Sequence, residues 1–158
     1  MGRKLEREKA FQAMKRRRIL ARETAFKALF QLDFGVVETD EKEIYENLAV
    51  ENAIEESTED SDDELQEENL TYIVETVKNV MAHREEIDAV IKKYLRENWT
   101  LNRLATADRN ILRLAVYELA EKKVPTGVAI NEAVELAKKY GTDDSARFVN
   151  GILDAIAN

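Results

Sequence analysis

The chain has 158 residues, 44% of them hydrophobic and 35% charged, with a formal net charge of −8 and no cysteine. That length suits a single domain with a real core, and the lack of cysteine excludes a disulfide framework or a thiolate metal site. No apolar run approaches the ~20 residues that span a bilayer, and the charged N-terminus lacks the apolar stretch of a secretory signal, so a cytoplasmic protein is expected.

Charge is segregated along the chain. Residues 1–27 hold ten Lys or Arg against three acids, while residues 38–68 hold fifteen acids against one lysine. The basic arm is therefore a local anion-binding feature on an acidic protein. Within it, residues 1–14 (MGRKLEREKAFQAM) allow helix, but Leu5, Phe11 and Met14 give little to bury, which predicts a flexible extension. A first helix is predicted over 15–34. Its apolar face carries Ile19, Phe26, Leu29 and Phe30, Ala25 and Ala28 permit close approach, and Gly35 ends it. Lys15, Arg18 and Arg22 share a different face, flanked by Arg16 and Arg17, and this basic stripe is expected to stay solvated.

Residues 39–56 read as a second helix, capped by Thr39 or Asp40, with Ile44, Tyr45 and Leu48 inward. EESTEDSDDELQEE, residues 55–68, has nine acids and one leucine, and reads as an acidic mobile loop outside the core. Helical periodicity returns with Leu70, Ile73, Val74, Val77, Val80 and Met81, and again with Ile87, Val90, Ile91, Tyr94 and Leu95. This is one helix or two joined at residues 83–86. Thr100 is expected to cap a short turn through Leu104, and Thr106 or Asp108 to open the next helix. No segment sustains period-two alternation, so no sheet is predicted.

Three amphipathic helices with short joints follow in residues 106–157, a pattern that folds back on itself as a bundle. Pro125 is expected to stop the first, with Gly127 in the turn, and Gly141 to close the second in a left-handed conformation. Thr142 is the expected cap of the third, with Asp143 and Asp144 in its first turn. Gly151 inside that helix suggests a close backbone approach, within the bundle or to a partner, and Asn131 and Asn150 suggest buried or capping hydrogen bonds.

Catalytic machinery is missing from the pattern. His83 is the only histidine, no phosphate-loop, dinucleotide or zinc motif occurs, and nothing pairs two carboxylates, so neither an enzyme nor a cofactor is expected. The positive signal is the triplet Arg16, Arg17, Arg18 with Arg22. A guanidinium forks onto two phosphate oxygens and stacks on unpaired bases. The same residues also fit an ordinary solvated face with Glu23 and its neighbours as i,i+4 partners, and the residues alone leave both readings open.

INEAVELAKKYG, followed closely by DDSARFVNGILD, resembles the C-terminal signature of the bacterial NusB antitermination family. The preceding DRNILRLAVYEL and the VP pair fit the same pattern, and RRRILARETAFKALFQLDF resembles that family's first helix. The resemblance covers residues 16–157 apart from the acidic middle. It implies an all-α fold of about seven helices in two small packed bundles, forming one domain over 15–157. It also implies transcription antitermination through single-stranded boxA RNA of ribosomal RNA leaders. The implied partners are a small-subunit ribosomal protein acting as NusE and the RNA polymerase antitermination complex. Carried onto this chain, the RNA-binding residues are Arg16, Arg17, Arg18 and Arg22, although Ile19 and Leu20 interrupt what can be a denser arginine run. Asp108, Asp144 and Ser145 are implied to border the RNA path, where helix capping is a sufficient physical reason for them. Two competing readings stand beside this one. The first is a stand-alone helical RNA-binding domain like those fused to ribosomal RNA methyltransferases. The second is an interaction protein, such as a homodimer whose arginines contact acidic protein.

Overall fold

The computed structural model describes residues 1–34, 41–59 and 61–158. Among them the chain forms α1 (Gly2–Phe34), α2 (Lys42–Glu59), α3 (Glu67–Ala82), α4 (Arg84–Lys93), a 3-10 turn (Leu101–Arg103), α5 (Thr106–Glu121), α6 (Thr126–Tyr140) and α7 (Ser145–Ala157), with no strand. The all-α expectation holds. The helices divide into two compact units, Met1–Val77 and Lys78–Asn158.

In the first unit, α1 packs on α2. Small residues make the joint: Ala21, Ala25 and Ala28 of α1 are buried, as are Ala49, Ala53 and Ser57 of α2, spaced four apart. Thr24 Oγ1 donates to the Leu20 carbonyl at 2.7 Å and lies 2.9 Å from Ser57 Oγ. This close approach corrects the predicted orientation of α2. Ile44, Tyr45 and Leu48 are 57%, 41% and 47% exposed, because the helix turns its smallest side chains to α1 and its larger ones away. Ile19 is likewise exposed, while Phe26, Leu29 and Leu32 are buried. The predicted stops and caps at Gly35, Thr39 and Asp40 lie outside the described residues.

Two boundaries also move. Residues 2–14, predicted as a flexible extension, are helical and continuous with α1. The acidic run is predicted as a loop over 55–68, yet α2 continues to Glu59 and α3 begins at Glu67. Charge was over-weighted against the single small contact at Ser57, which is 3% exposed. Asn69 Oδ1 accepts from the Gln66 N–H at 2.9 Å, satisfying a donor at the start of α3. Replacing residues 61–66 with a Gly/Ser linker is accordingly expected to leave the thermal midpoint nearly unchanged. Carrying the replacement back through residue 55 should lower stability by about 0.5–1.5 kcal/mol, since it removes the Ser57 contact of Thr24, whose bond to the Leu20 carbonyl remains. Paired thermal melts of the two variants check this.

The second unit brackets α5 with α4, α6 and α7. Helices α3 and α4 meet at His83, inside the predicted joint. Asn79 Nδ2 donates to Tyr117 Oη at 3.0 Å, tying the end of α3 to α5. Ile111, Leu112, Leu114, Ala137, Val149 and Leu153 are buried. The predicted punctuation changes in detail. Lys122 ends α5 in a left-handed conformation (φ 56°), and Pro125 opens α6 instead of stopping α5, with Gly127 inside the first turn of α6. Gly141 is extended, not left-handed (φ −97°, ψ −166°). Asn131 and Asn150 are exposed and not buried.

Candidate nucleic-acid interface

The arginine triplet sits on α1 one turn before the helix enters the body. Every buried residue of α1 lies at or beyond Ala21, so Arg16 and Arg18 stand on exposed helix anchored by a packed segment. Arg17 is half-buried, and its Nε is buried with no hydrogen-bond partner. Arg16 Nε lies 3.3 Å and 3.2 Å from the two carboxylate oxygens of Asp63 in the acidic run, at an exposed position. Arg22 departs from the predicted wet stripe: it is 9% exposed. Residues 21–26 are buried all round the helix, so no face there reaches water. Arg22 belongs to the packed segment, which leaves Arg16 and Arg18 as the exposed members of the predicted set.

In the second unit a groove of about 570 Å³ brings together Asp108, Asp144 and Ser145, the three predicted rim residues. Its walls also carry Tyr94, Trp99 and Phe148, with Arg96, Arg103 and Arg147. Specific contacts hold it in shape. Arg109 Nη1 donates to the Leu101 and Leu104 carbonyls at 3.0 and 3.2 Å, fastening the 3-10 turn to α5. Arg103 Nη1 donates to the Asn98 carbonyl at 3.2 Å. On the opposite wall, Ser145 Oγ accepts from the Thr142 N–H at 2.9 Å and lies 3.2 Å from Thr142 Oγ1. The Thr142–Ser145 pair braces the turn before α7, but the N-cap position is Asp144 and not the expected Thr142. Asp143 and Asp144 precede the helix, and Asp144 at the N-cap makes no side-chain cap bond.

Gly141 is needed for that turn. A Cβ there would fall 2.7 Å from the Ala137 carbonyl oxygen and collide with Ser145. Gly151 shows the reverse, contrary to the expected close approach within the bundle: it is an exposed lining residue of the groove, and nothing lies within 4 Å of where its Cβ would be. Asp108 stands in the first turn of α5, where the helix dipole favours a carboxylate, and its buried Oδ1 has no hydrogen-bond partner. Trp99 is 50% exposed and Tyr94 43%, which leaves flat aromatic surface beside guanidinium groups. Such a lining suits stacked bases and a sugar–phosphate backbone better than a small polar substrate.

The NusB family profile matches residues 20–158. The chain belongs to the NusB family. It is 44% identical over 140 residues to the transcription antitermination protein NusB of Desulfitobacterium hafniense (strain DSM 10664 / DCB-2), covering 88% of this chain and 86% of that one. The solved NusB of T. maritima is 40% identical with a TM-score of 0.71, covering 89% of each chain. A crystal structure of the antitermination factors NusB and NusE in complex with dsRNA is 31% identical with a TM-score of 0.74, covering 90% of this chain and 96% of that one.

Within this chain, the signature stretches fall on α5, α6 and α7, and the α6–α7 junction lines the groove through Thr142, Asp144 and Ser145. Arg22 lies in the family-matched range, whereas Arg16, Arg17 and Arg18 precede it. Sequence reasoning missed Arg96, Trp99, Arg103, Arg147 and Phe148 as groove residues. The signal was present in YLRENWTLNR, where aromatic and basic residues interleave.

Proposed function

We propose that this NusB-family chain is a transcription antitermination factor that binds single-stranded boxA-type RNA of ribosomal RNA leaders. It acts with a small-subunit ribosomal protein of the NusE kind on the elongating polymerase, in the cytoplasm and without catalysis or cofactor. The carrying observation is the arginine triplet on an anchored helix, with Arg16 and Arg18 exposed. Phosphate oxygens accept from such guanidinium groups, whose fork matches them. The Arg16–Asp63 contact is an exposed pair worth about 0–1 kcal/mol, so a phosphate can displace it.

The groove supports the same reading. Bases stack on Trp99, Tyr94 or Phe148, while Arg96, Arg103 and Arg147 offset Asp108 and Asp144 among the lining residues. Trp99 is the only tryptophan of the chain. Its emission is therefore expected to be quenched on adding boxA-type RNA, and Trp99→Ala to weaken binding by about 1–3 kcal/mol. Emission unmoved at saturating RNA would place the bases elsewhere. The functional test is filter binding of boxA-type against scrambled RNA, with and without the NusE-type protein. Preference for the boxA sequence, strengthened by the protein partner, is the expected result. Equal retention of both RNAs under both conditions would leave a non-specific polyanion binder.

A further inference from the structure

Ahead of the arginine triplet, α1 runs back through residues 2–15. Residues 2–19 lie before the family-matched range, and none of them is buried. At 1.5 Å per residue they extend about 27 Å as continuous helix. Helical spacing puts Arg3, Lys4, Arg7, Phe11, Lys15 and Arg18 within about 120° of one another, with Glu6 and Glu8 on the flanks. All six are exposed. Lys15 Nζ stands 5.1 Å from the centroid of the Phe11 ring, which is itself 50% exposed, so a cation and an open aromatic face share one turn of surface.

We propose that this face is an RNA-tracking arm. It continues the arginine-triplet site, neutralising phosphates of single-stranded RNA that flank the boxA segment, with one base stacked on Phe11. The inference rests on the RNA reading above and extends it to a surface outside the family-matched residues. Three features favour RNA over an acidic protein or an anionic membrane. The stripe is continuous with Arg18, a member of the triplet. Its aromatic residue is interleaved with cations, the pattern that holds unpaired strands with little sequence preference. Of the other large apolar side chains, Leu5 and Ile19 fall outside it and only the half-buried Met14 falls inside, so the face lacks the broad apolar band with which a membrane-surface helix inserts.

The test compares a boxA-type oligonucleotide with the same oligonucleotide carrying a flank of roughly ten unstructured nucleotides on its 5′ or 3′ side, a length within the range one such surface occupies. The full-length parent should gain affinity from one of the two flanks. Its plot of log K against log salt should steepen by about 2, from three phosphates at ~0.7 each. The variant Arg3→Ala/Lys4→Ala/Arg7→Ala should bind the unextended oligonucleotide like the parent and lose that gain. Phe11→Ala should weaken binding of the extended RNA about 5- to 100-fold without changing the slope, as expected for a stacked base. Circular dichroism should show both variants as helical as the parent, because alanine is the best helix former. A triple variant that keeps the full gain, or a parent that gains from neither flank, would overturn the arm. If the unextended oligonucleotide itself binds no better than scrambled RNA, the boxA reading fails, and the arm with it.

Discussion

Changing Arg16, Arg17 and Arg18 together to alanine is expected to lower affinity for boxA-type RNA about a hundredfold at 0.1 M salt. Three neutralised phosphates contribute about 2 log units there, at ~0.7 per phosphate on a single strand. The difference should shrink as salt rises, because the lost term is counterion release. Stability should change little. The triplet precedes the buried part of α1, Arg16 and Arg18 are exposed, and alanine favours helix. Arg22→Ala should behave differently: at 9% exposure it is part of the packed segment, so its loss is expected to lower the thermal midpoint more than RNA affinity. Fluorescence anisotropy across a salt series, with thermal melts of each variant, separates the two effects. Equal salt slopes for the parent and the triplet variant would remove these arginines from the site.

The largest stability effect is expected at Asp88. Arg113 is 5% exposed, and its Nε and Nη2 reach the two Asp88 carboxylate oxygens at 2.8 and 3.0 Å, a fork that joins α4 to α5. Nη1 is 3.3 Å from Asn110 Oδ1, a weaker contact. Asp88→Ala removes the carboxylate that two nitrogens of this buried guanidinium reach, at a cost of about 3–5 kcal/mol. For a chain of this size that corresponds to roughly 6–20 °C in the thermal midpoint. The double change Asp88→Leu/Arg113→Met should recover much of the loss, since it removes both charges from the interior together. Urea melts of the single and double variants measure this. A single variant within 1 kcal/mol of the parent would show the pair to be far better solvated than its burial implies.

Helix content and the C-terminal order were legible because α5, α6 and α7 each carry a periodic apolar face with punctuation between them. The break at His83 falls within residues 83–86, where the sequence left one helix or two open. What could not be read depends on partners distant in the sequence. Ile44, Tyr45 and Leu48 look like a core stripe, yet α2 buries the small residues Ala49, Ala53 and Ser57, the last against Thr24 of α1. Arg22 shares a helix face with Arg18, and periodicity alone cannot show that the helix becomes enclosed between them. Gly141 carried a C-cap signal, but its real constraint is the space occupied by Ser145 and the Ala137 carbonyl. The arginine triplet was visible as a contiguous run. The groove was not, because its walls come from segments scattered between Tyr94 and Ile152.

The most direct test of the central claim is photo-crosslinking of the full-length chain to boxA-type RNA containing 4-thiouridine, followed by mass spectrometry of the crosslinked peptides. Crosslinks should fall on α1 around Arg16–Arg18 and on groove peptides bearing Trp99 or Phe148, and scrambled RNA should compete poorly for them. Crosslinks confined to other surfaces, or displaced equally well by scrambled RNA, would contradict boxA-type recognition by the arginine triplet and the groove.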